Sequence, residues 1–308
     1  MKACRIGGPG FAVSHIVPPL TAAAHVPRLL MRDPASGSGL PLDQCEQVRG
    51  EVSDPVALAE CVQGADAVIY LIGILREFPS QGITFEDLQF RGVERTLEAC
   101  RAAGVGRFIH WSANGVKPDG TAYQRSKHQA EEAVKASCPR WTIFRPSVIF
   151  GPPQGRMEFC TQLRRDIIDS PLPAPLFYPG LLPTGAGAFQ LAPVAIADVA
   201  QAFVRALTRP ETEGRTFELC GPEPKSWKEI LETIAAAVDK RKLMLPAPAI
   251  GVKTAAALFD RFPWFPISRD QLTMLMEGNV CADASAYPLL GIDPQPFTVE
   301  SLRYLRAG

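Results

Sequence analysis

The sequence lacks any uninterrupted apolar run of the about 18 to 20 residues that carry a helix across a bilayer. Residues 243–267 are unusually apolar but are broken by prolines. Charge of one sign is lacking too: Lys and Arg together number 32, as do Asp and Glu, so no net field draws the chain onto nucleic acid, and no nucleic-acid partner is expected. Only four histidines occur, with no H-E-x-x-H and no His/Cys spacing of a zinc site, so no metal is expected. The eight cysteines, Cys4, Cys45, Cys61, Cys100, Cys138, Cys160, Cys220 and Cys281, never form C-x-x-C. They read as reduced thiols. The P-loop pattern G-x-x-x-x-G-K-[ST] and the nucleophile elbow G-x-S-x-G are missing, which leaves kinase-type and serine-hydrolase chemistry unsupported. Residues Met1 to Gly8 carry no apolar signal region, and a cytoplasmic protein is expected.

What is present is an ordinary globular composition, 46% hydrophobic and 21% charged, which argues against disorder. The first half alternates short apolar runs with helical periodicity, the pattern of βαβ units around a parallel sheet. Strands are expected at Ala3–Ile6, Arg28–Met31, Gln47–Arg49, Asp66–Leu71, Arg107–Trp111 and Trp141–Arg145. Asp54 before Pro55 reads as an N-cap with proline in the first helical position, opening a helix to about residue 63. A longer helix is expected from Phe85 to Ala103, closed by Gly104. Ser226 with Glu229 and Ser268 with Gln271 read as capping boxes. These elements give an α/β fold, a Rossmann-type doubly wound parallel sheet with a smaller C-terminal substrate lobe. Residues 1–152 are assigned to the Rossmann core and 153–308 to a mixed part holding some core elements and the lobe.

Ile6-Gly7-Gly8-Pro9-Gly10-Phe11 follows the first strand and precedes a helix, the context in which glycines let a backbone approach a pyrophosphate at a helix N-terminus. Val13 stands where a third glycine would allow close helix–strand packing. Pro18 and Pro19 each cost about 3 kcal/mol inside a helix, and this helix is expected to stop near Val17. Tyr123 and Lys127, four residues apart, share one face of a helix. A free tyrosine titrates near 10, and bringing it to 7 takes about 4 kcal/mol, part of which a neighbouring ammonium supplies.

Gly7, Gly10 and Phe11 resemble the G-x-x-G-F turn of the short-chain dehydrogenase/reductase superfamily. Arg145-Pro146-Ser147-Val148-Ile149-Phe150-Gly151-Pro152 is similar to its R-P-x-x-x-F-G-P segment, and the Tyr123–Lys127 pair falls between the fifth and sixth strands as it does there. Within the superfamily's atypical members the chain resembles the branch of the NAD(P)H-binding accessory subunit of respiratory complex I and its bacterial relatives. Ser112-Ala113, Ala197-Asp198-Val199-Ala200, Phe217 to Glu223 and Ser268 to Leu272 carry that likeness.

The resemblance implies a nicotinamide dinucleotide held by Gly7, Gly10, Phe11, Arg32, Glu51, Gly73, Lys127 and Pro146. Arg32 sits where the superfamily chooses its cofactor, and its guanidinium fork suits the 2′-phosphate of NADP, with NAD as second choice. Tyr123 is implied as general acid/base, Lys127 as ribose binder and Ser112 as the donor that orients the substrate oxygen. Three functions fit: an NADP(H)-dependent oxidoreductase of a small carbonyl or alcohol substrate, a non-catalytic NADP(H)-binding accessory or assembly factor of complex I or quinone metabolism, and a nucleotide-sugar epimerase/dehydratase-like enzyme. For the accessory function, residues 243–267 are the surface expected to meet the inner membrane or a respiratory complex, which would place the protein at the membrane periphery.

Overall fold

Seven strands form one parallel sheet: β1 (Lys2–Ile6), β2 (Val26–Met31), β3 (Glu46–Arg49), β4 (Ala67–Tyr70), β5 (Arg107–Trp111), β6 (Arg140–Pro146) and β7 (Arg215–Leu219). Their order is β7-β6-β5-β4-β1-β2-β3, and every pairing is parallel. The direction of winding reverses between β1 and β4, so the sheet is doubly wound, and the C-terminal ends of all strands share one edge. The computed structural model describes residues 1–7, 10–33, 39–180, 182–251 and 268–307. Gly8, Pro9 and residues 252–267 of the expected interaction segment, Trp264 included, lie outside the described residues.

Both faces of the sheet are covered, as the apolar runs require: all four residues of β4 are buried. Ile6, Leu30, Val48, Val68 and Phe108 pack with Leu58, Val93 and Leu97 from the flanking helices. Those helices are α1 (Phe11–Ala22), α2 (Pro55–Val62), α3 (Gly92–Ala102), α4 (Ala122–Ser137), α5 (Ile196–Ala206) and the short α6 (Ala286–Leu290). Asp54 caps α2 by accepting from the amides of Val56 and Ala57 at 2.9 and 3.2 Å. The helix expected from Phe85 begins as a wide π-type turn, Glu86–Arg91, before α3.

Two expectations are overturned. The first helix does not stop near Val17; it runs through Pro18 and Pro19 to Ala22. Ile16, Val17 and Leu20 are fully buried. Burying each is worth roughly 1.5–3 kcal/mol, which offsets about 3 kcal/mol per proline. Nor are all the cysteines thiols, because Cys220 and Cys281 form a disulfide with Cα atoms 5.9 Å apart. Their sequence separation of 61 hid the pairing from the sequence, since only the fold brings their segments together. Cys61, Cys100, Cys138 and Cys160 are buried thiols.

The chain divides into two compact units. One comprises Met1–Pro146, Ile196–Leu219 and Asp283–Asp293, and so contains the whole sheet. The other comprises Ser147–Ala195, Cys220–Ala282 and Pro294–Gly308. In the second, strand Ala174–Tyr178 pairs in parallel with Met244–Pro248. Helices Trp227–Ala237 and Arg269–Glu277 start with the capping boxes Ser226/Glu229 and Ser268/Gln271. Phe150, Phe177, Trp227, Leu231, Phe297 and Leu302 build its core. Among the described residues no helix is long and apolar enough to cross a membrane, and no group of three or more His, Cys, Asp or Glu is arranged to hold a metal ion.

Candidate functional site

The sheet places Gly7, the residue after β1, at its switch point. Gly7 follows β1 with φ of +148°, and a Cβ there would lie 3.5 Å from the Leu71 carbonyl carbon and 3.6 Å from the Ile72 amide. Gly7 is thus seated against the exit of β4. Gly10 is the N-cap of α1 and offers no side chain to cap it, while the Gly10 carbonyl accepts from Ser14 at 3.2 Å. Amides at the start of an α-helix have no intrahelical acceptor, so this end of α1 suits an anionic phosphate. Phe11 opens the helix and stacks edge-on against His15, with ring centroids 5.1 Å apart. Val13, in the third-glycine position, is buried.

The other candidate cofactor residues lie along the same edge of the sheet. Arg32 is exposed one residue past β2, and Glu51 is exposed two residues past β3. Between β3 and Glu51, Gly50 packs so closely that a Cβ would fall 2.2 Å from that of Ala57 on α2. Gly73 is exposed beyond β4, where a Cβ would stand 3.5 Å from the Lys127 Nζ. Pro146 ends β6, buried, and its carbonyl accepts from the Asn114 amide at 2.9 Å.

Thr121 and Gln124 form a capping box that opens α4 and sets the face carrying Tyr123 and Lys127. Lys127 is 1% exposed, so its position matters more than its reach. It donates to the Trp111 carbonyl at 2.9 Å and the Ile72 carbonyl at 3.3 Å, at the ends of β5 and β4. Burial pulls its ammonium down to about 8, opposed by the charge of Glu131. The Tyr123 hydroxyl has no hydrogen-bond partner among the described residues, and its ring meets Phe85 edge-on at 5.6 Å. Burial pushes that phenol up to about 12.

Ser112 is placed differently from Tyr123. It is fully buried and its hydroxyl donates to Glu131 at 2.5 Å rather than standing open beside the tyrosine. Glu131 also accepts two bonds from Arg145, at 2.8 and 2.6 Å, and has Lys135 at 3.8 Å. Sequence reading missed Glu131, although its position four residues beyond Lys127 on one helix face was a usable signal. It also missed Gln89, whose amide nitrogen donates to the Ile74 carbonyl at 2.7 Å while its oxygen accepts from Ser126 of α4 at 2.9 Å. Gln89 and Lys127 together fix the loop after β4. His110 on β5 is fully buried with neither ring nitrogen partnered among the described residues. Burial, and then the charge of Lys127, hold it neutral.

A family profile described as NAD(P)H-binding matches residues 7–165. Among characterised proteins, the mitochondrial NADH-ubiquinone oxidoreductase 40 kDa subunit of Neurospora crassa is 26% identical over 269 residues, covering 86% of this chain and 67% of that one. Ceramide reductase of Caulobacter vibrioides is 28% identical over 255 residues, covering 82% and 76%. Among solved structures, UDP-glucose 4-epimerase of Thermus thermophilus in complex with NAD superposes with a TM-score of 0.73, covering 100% of this chain and 98% of that one. At 20% identity that likeness is one of fold. Because the matched stretch takes in the glycine turn, the Tyr123–Lys127 helix and the exit of β6, over half of the chain, this protein belongs to the NAD(P)H-binding family.

Proposed function

We propose that this chain uses a nicotinamide dinucleotide, NADP(H) in preference to NAD(H), to reduce a small carbonyl compound, with Tyr123 as the proton donor. One observation carries the reading. The Tyr123 hydroxyl is unpartnered among the described residues, while Lys127, one helical turn on, is pinned to the Trp111 and Ile72 carbonyls at the sheet's C-terminal edge.

The bound dinucleotide supplies the hydride. An ammonium has three donors, and two of those on Lys127 are given to carbonyls, which leaves one for a ribose hydroxyl. Tyr123, pushed up to about 12 by burial, holds its proton at neutral pH and is set to give it to a developing alkoxide. That favours reduction over oxidation, which needs the phenolate. The uncapped end of α1 binds the pyrophosphate, and Arg32 meets the 2′-phosphate.

A second reading has its own support. With the Ser112 hydroxyl given to Glu131, Tyr123 is the one of the two candidate donors left for a substrate oxygen. That suits a protein which holds the dinucleotide without turnover, as an accessory factor of a respiratory complex or of quinone metabolism. The relationship to an NADH-ubiquinone oxidoreductase subunit supports it, and the exposed Leu243, Leu245 and Ile250 are surface for such a partner.

Titration with NADPH and NADH, followed by turnover assays on a panel of aldehydes, ketones and quinones with wild type and Tyr123→Phe, tests both readings. The expected result is a loss of about 100-fold or more in turnover by the variant with dinucleotide binding retained. Equal turnover by the two proteins rejects the role of Tyr123. Stoichiometric binding with no turnover of any substrate favours the accessory reading.

A further inference from the structure

Consecutive residues at the exit of β5 meet α4 in opposite senses. Lys127 donates to the Trp111 carbonyl at 2.9 Å, and one helical turn further on Glu131 accepts from the Ser112 hydroxyl at 2.5 Å. From the end of β6, Arg145 closes on the same carboxylate with two bonds, the fork geometry that makes an arginine–carboxylate pair strong and directional. Glu131 is fully buried, and its carboxylate is met there by the Arg145 guanidinium, the Ser112 hydroxyl and, at 3.8 Å, the Lys135 ammonium.

We propose that Glu131 is a positioning residue for the Tyr123–Lys127 pair, clamping α4 to the ends of β5 and β6 so that Lys127 stays on the Trp111 and Ile72 carbonyls. The proposal deepens the function given above and rests on it for the ribose contact of Lys127. A lysine on its four-carbon stem lets a helix rock beneath it. A second anchor one turn away removes that freedom, because rolling α4 would break the Ser112 and Arg145 bonds together. Ser112 thereby acts through Glu131 and not on a substrate.

The clamp has an electrostatic side. Lys127 feels Glu131 on its own helix and lies beside the neutral His110 on β5; Arg145 and Lys135 face Glu131. Burial draws the Lys127 ammonium down to about 8, and the Glu131 carboxylate opposes it. Without that carboxylate the ammonium loses its proton at lower pH, and with it a donor for the ribose.

The test follows the titration of Lys127 directly, by NMR of protein labelled at the lysine side chains, with its resonance assigned from Lys127→Met. In parallel, NADPH affinity is measured over the same pH range. In Glu131→Gln the Lys127 midpoint is expected to fall by about one unit or more, and the pH above which NADPH binding weakens is expected to fall with it. Ser112→Ala, which keeps the carboxylate, is expected to leave the midpoint in place. Should Glu131→Gln fail to fold because Arg145 is left half-buried and unpaired, Glu131→Gln/Arg145→Met removes both charges and carries the same expected sign. An unmoved Lys127 midpoint in the folded variant overturns the proposal whether or not NADPH binds. A shifted midpoint in a protein that binds no dinucleotide keeps the clamp and rejects the proposed function instead.

Discussion

Cys220 and Cys281 are joined where the chain leaves the sheet-containing unit after Leu219 and before it returns at Asp283, so one disulfide closes the base of that excursion across a sequence separation of 61. A cross-link over a loop of that length removes about 4 kcal/mol of chain entropy from the unfolded state. Cys220→Ala/Cys281→Ala, or reduction of the wild type, is expected to lower the unfolding free energy by about that amount, measured by urea denaturation with and without reductant. Equal stability in both conditions would show that the bond is not formed in solution.

Gly92 opens α3 directly after the π-type turn, and a Cβ there would fall 2.3 Å from the Tyr70 hydroxyl oxygen and 3.2 Å from a Val52 methyl. Tyr70 is fully buried and donates to the Leu88 carbonyl at 2.5 Å, so it has nowhere to retreat. Gly92→Ala is expected to cost about 1–3 kcal/mol of stability through overpacking. Adding Tyr70→Phe, which removes the atom in the way, should recover part of it. A Gly92→Ala protein as stable as wild type would refute the clash.

The fold was legible where local signals and burial coincide. β4 to β6 read as apolar runs because parallel strands are covered on both faces, and Asp54, Ser226 and Ser268 announced their helices because a cap needs only its own next three residues. β7 went unread as a strand: Arg215-Thr216-Phe217-Glu218-Leu219 alternates polar with apolar, and only pairing with β6 places it in a parallel sheet. The prolines of α1 misled because propensity is local while the burial that overrides it is not.

The candidate site divides in the same way. Spacing on one helix made Tyr123 and Lys127 visible. The partner of Ser112 was not visible, because that bond joins the exit of β5 to a carboxylate 19 residues on, and no periodicity encodes it. Glu131 itself offered a hint through its place four residues after Lys127. Gln89 offered none, since it reaches back 15 residues to the Ile74 carbonyl from a turn that the sequence presents as plain helix.

Burial of Lys127 makes stability depend on pH with a definite sign. In the folded protein it titrates at about 8 against 10.5 for the free side chain. Between those values the unfolded chain holds the extra proton, so stability rises with pH through this window and the gain is lost again as pH falls through about 8. The wild type is expected to gain roughly 3 kcal/mol on Lys127→Met between about pH 7.5 and about pH 10.5, groups common to both cancelling in the difference. Urea unfolding of the two proteins at both pH values measures it. Parallel pH profiles would mean that Lys127 is better solvated than its burial implies.

Arg32 stands alone among the proposed cofactor contacts in reading the difference between the two dinucleotides. It is exposed one residue past β2, at the same edge of the sheet as the uncapped end of α1. A guanidinium meeting a 2′-phosphate forms charge-assisted bonds that a bare ribose cannot repay, while the rest of the nucleotide is common to both ligands. Arg32→Gln is therefore expected to weaken NADPH by about tenfold or more and to leave NADH nearly unchanged. Added salt should weaken NADPH more than NADH in the wild type and less so in the variant, because the position is open to solvent and screening. Fluorescence titration of both cofactors at low and high salt separates the outcomes. Equal losses for NADPH and NADH would assign Arg32 to the pyrophosphate or to the fold, and the preference for NADP would then have to come from other residues.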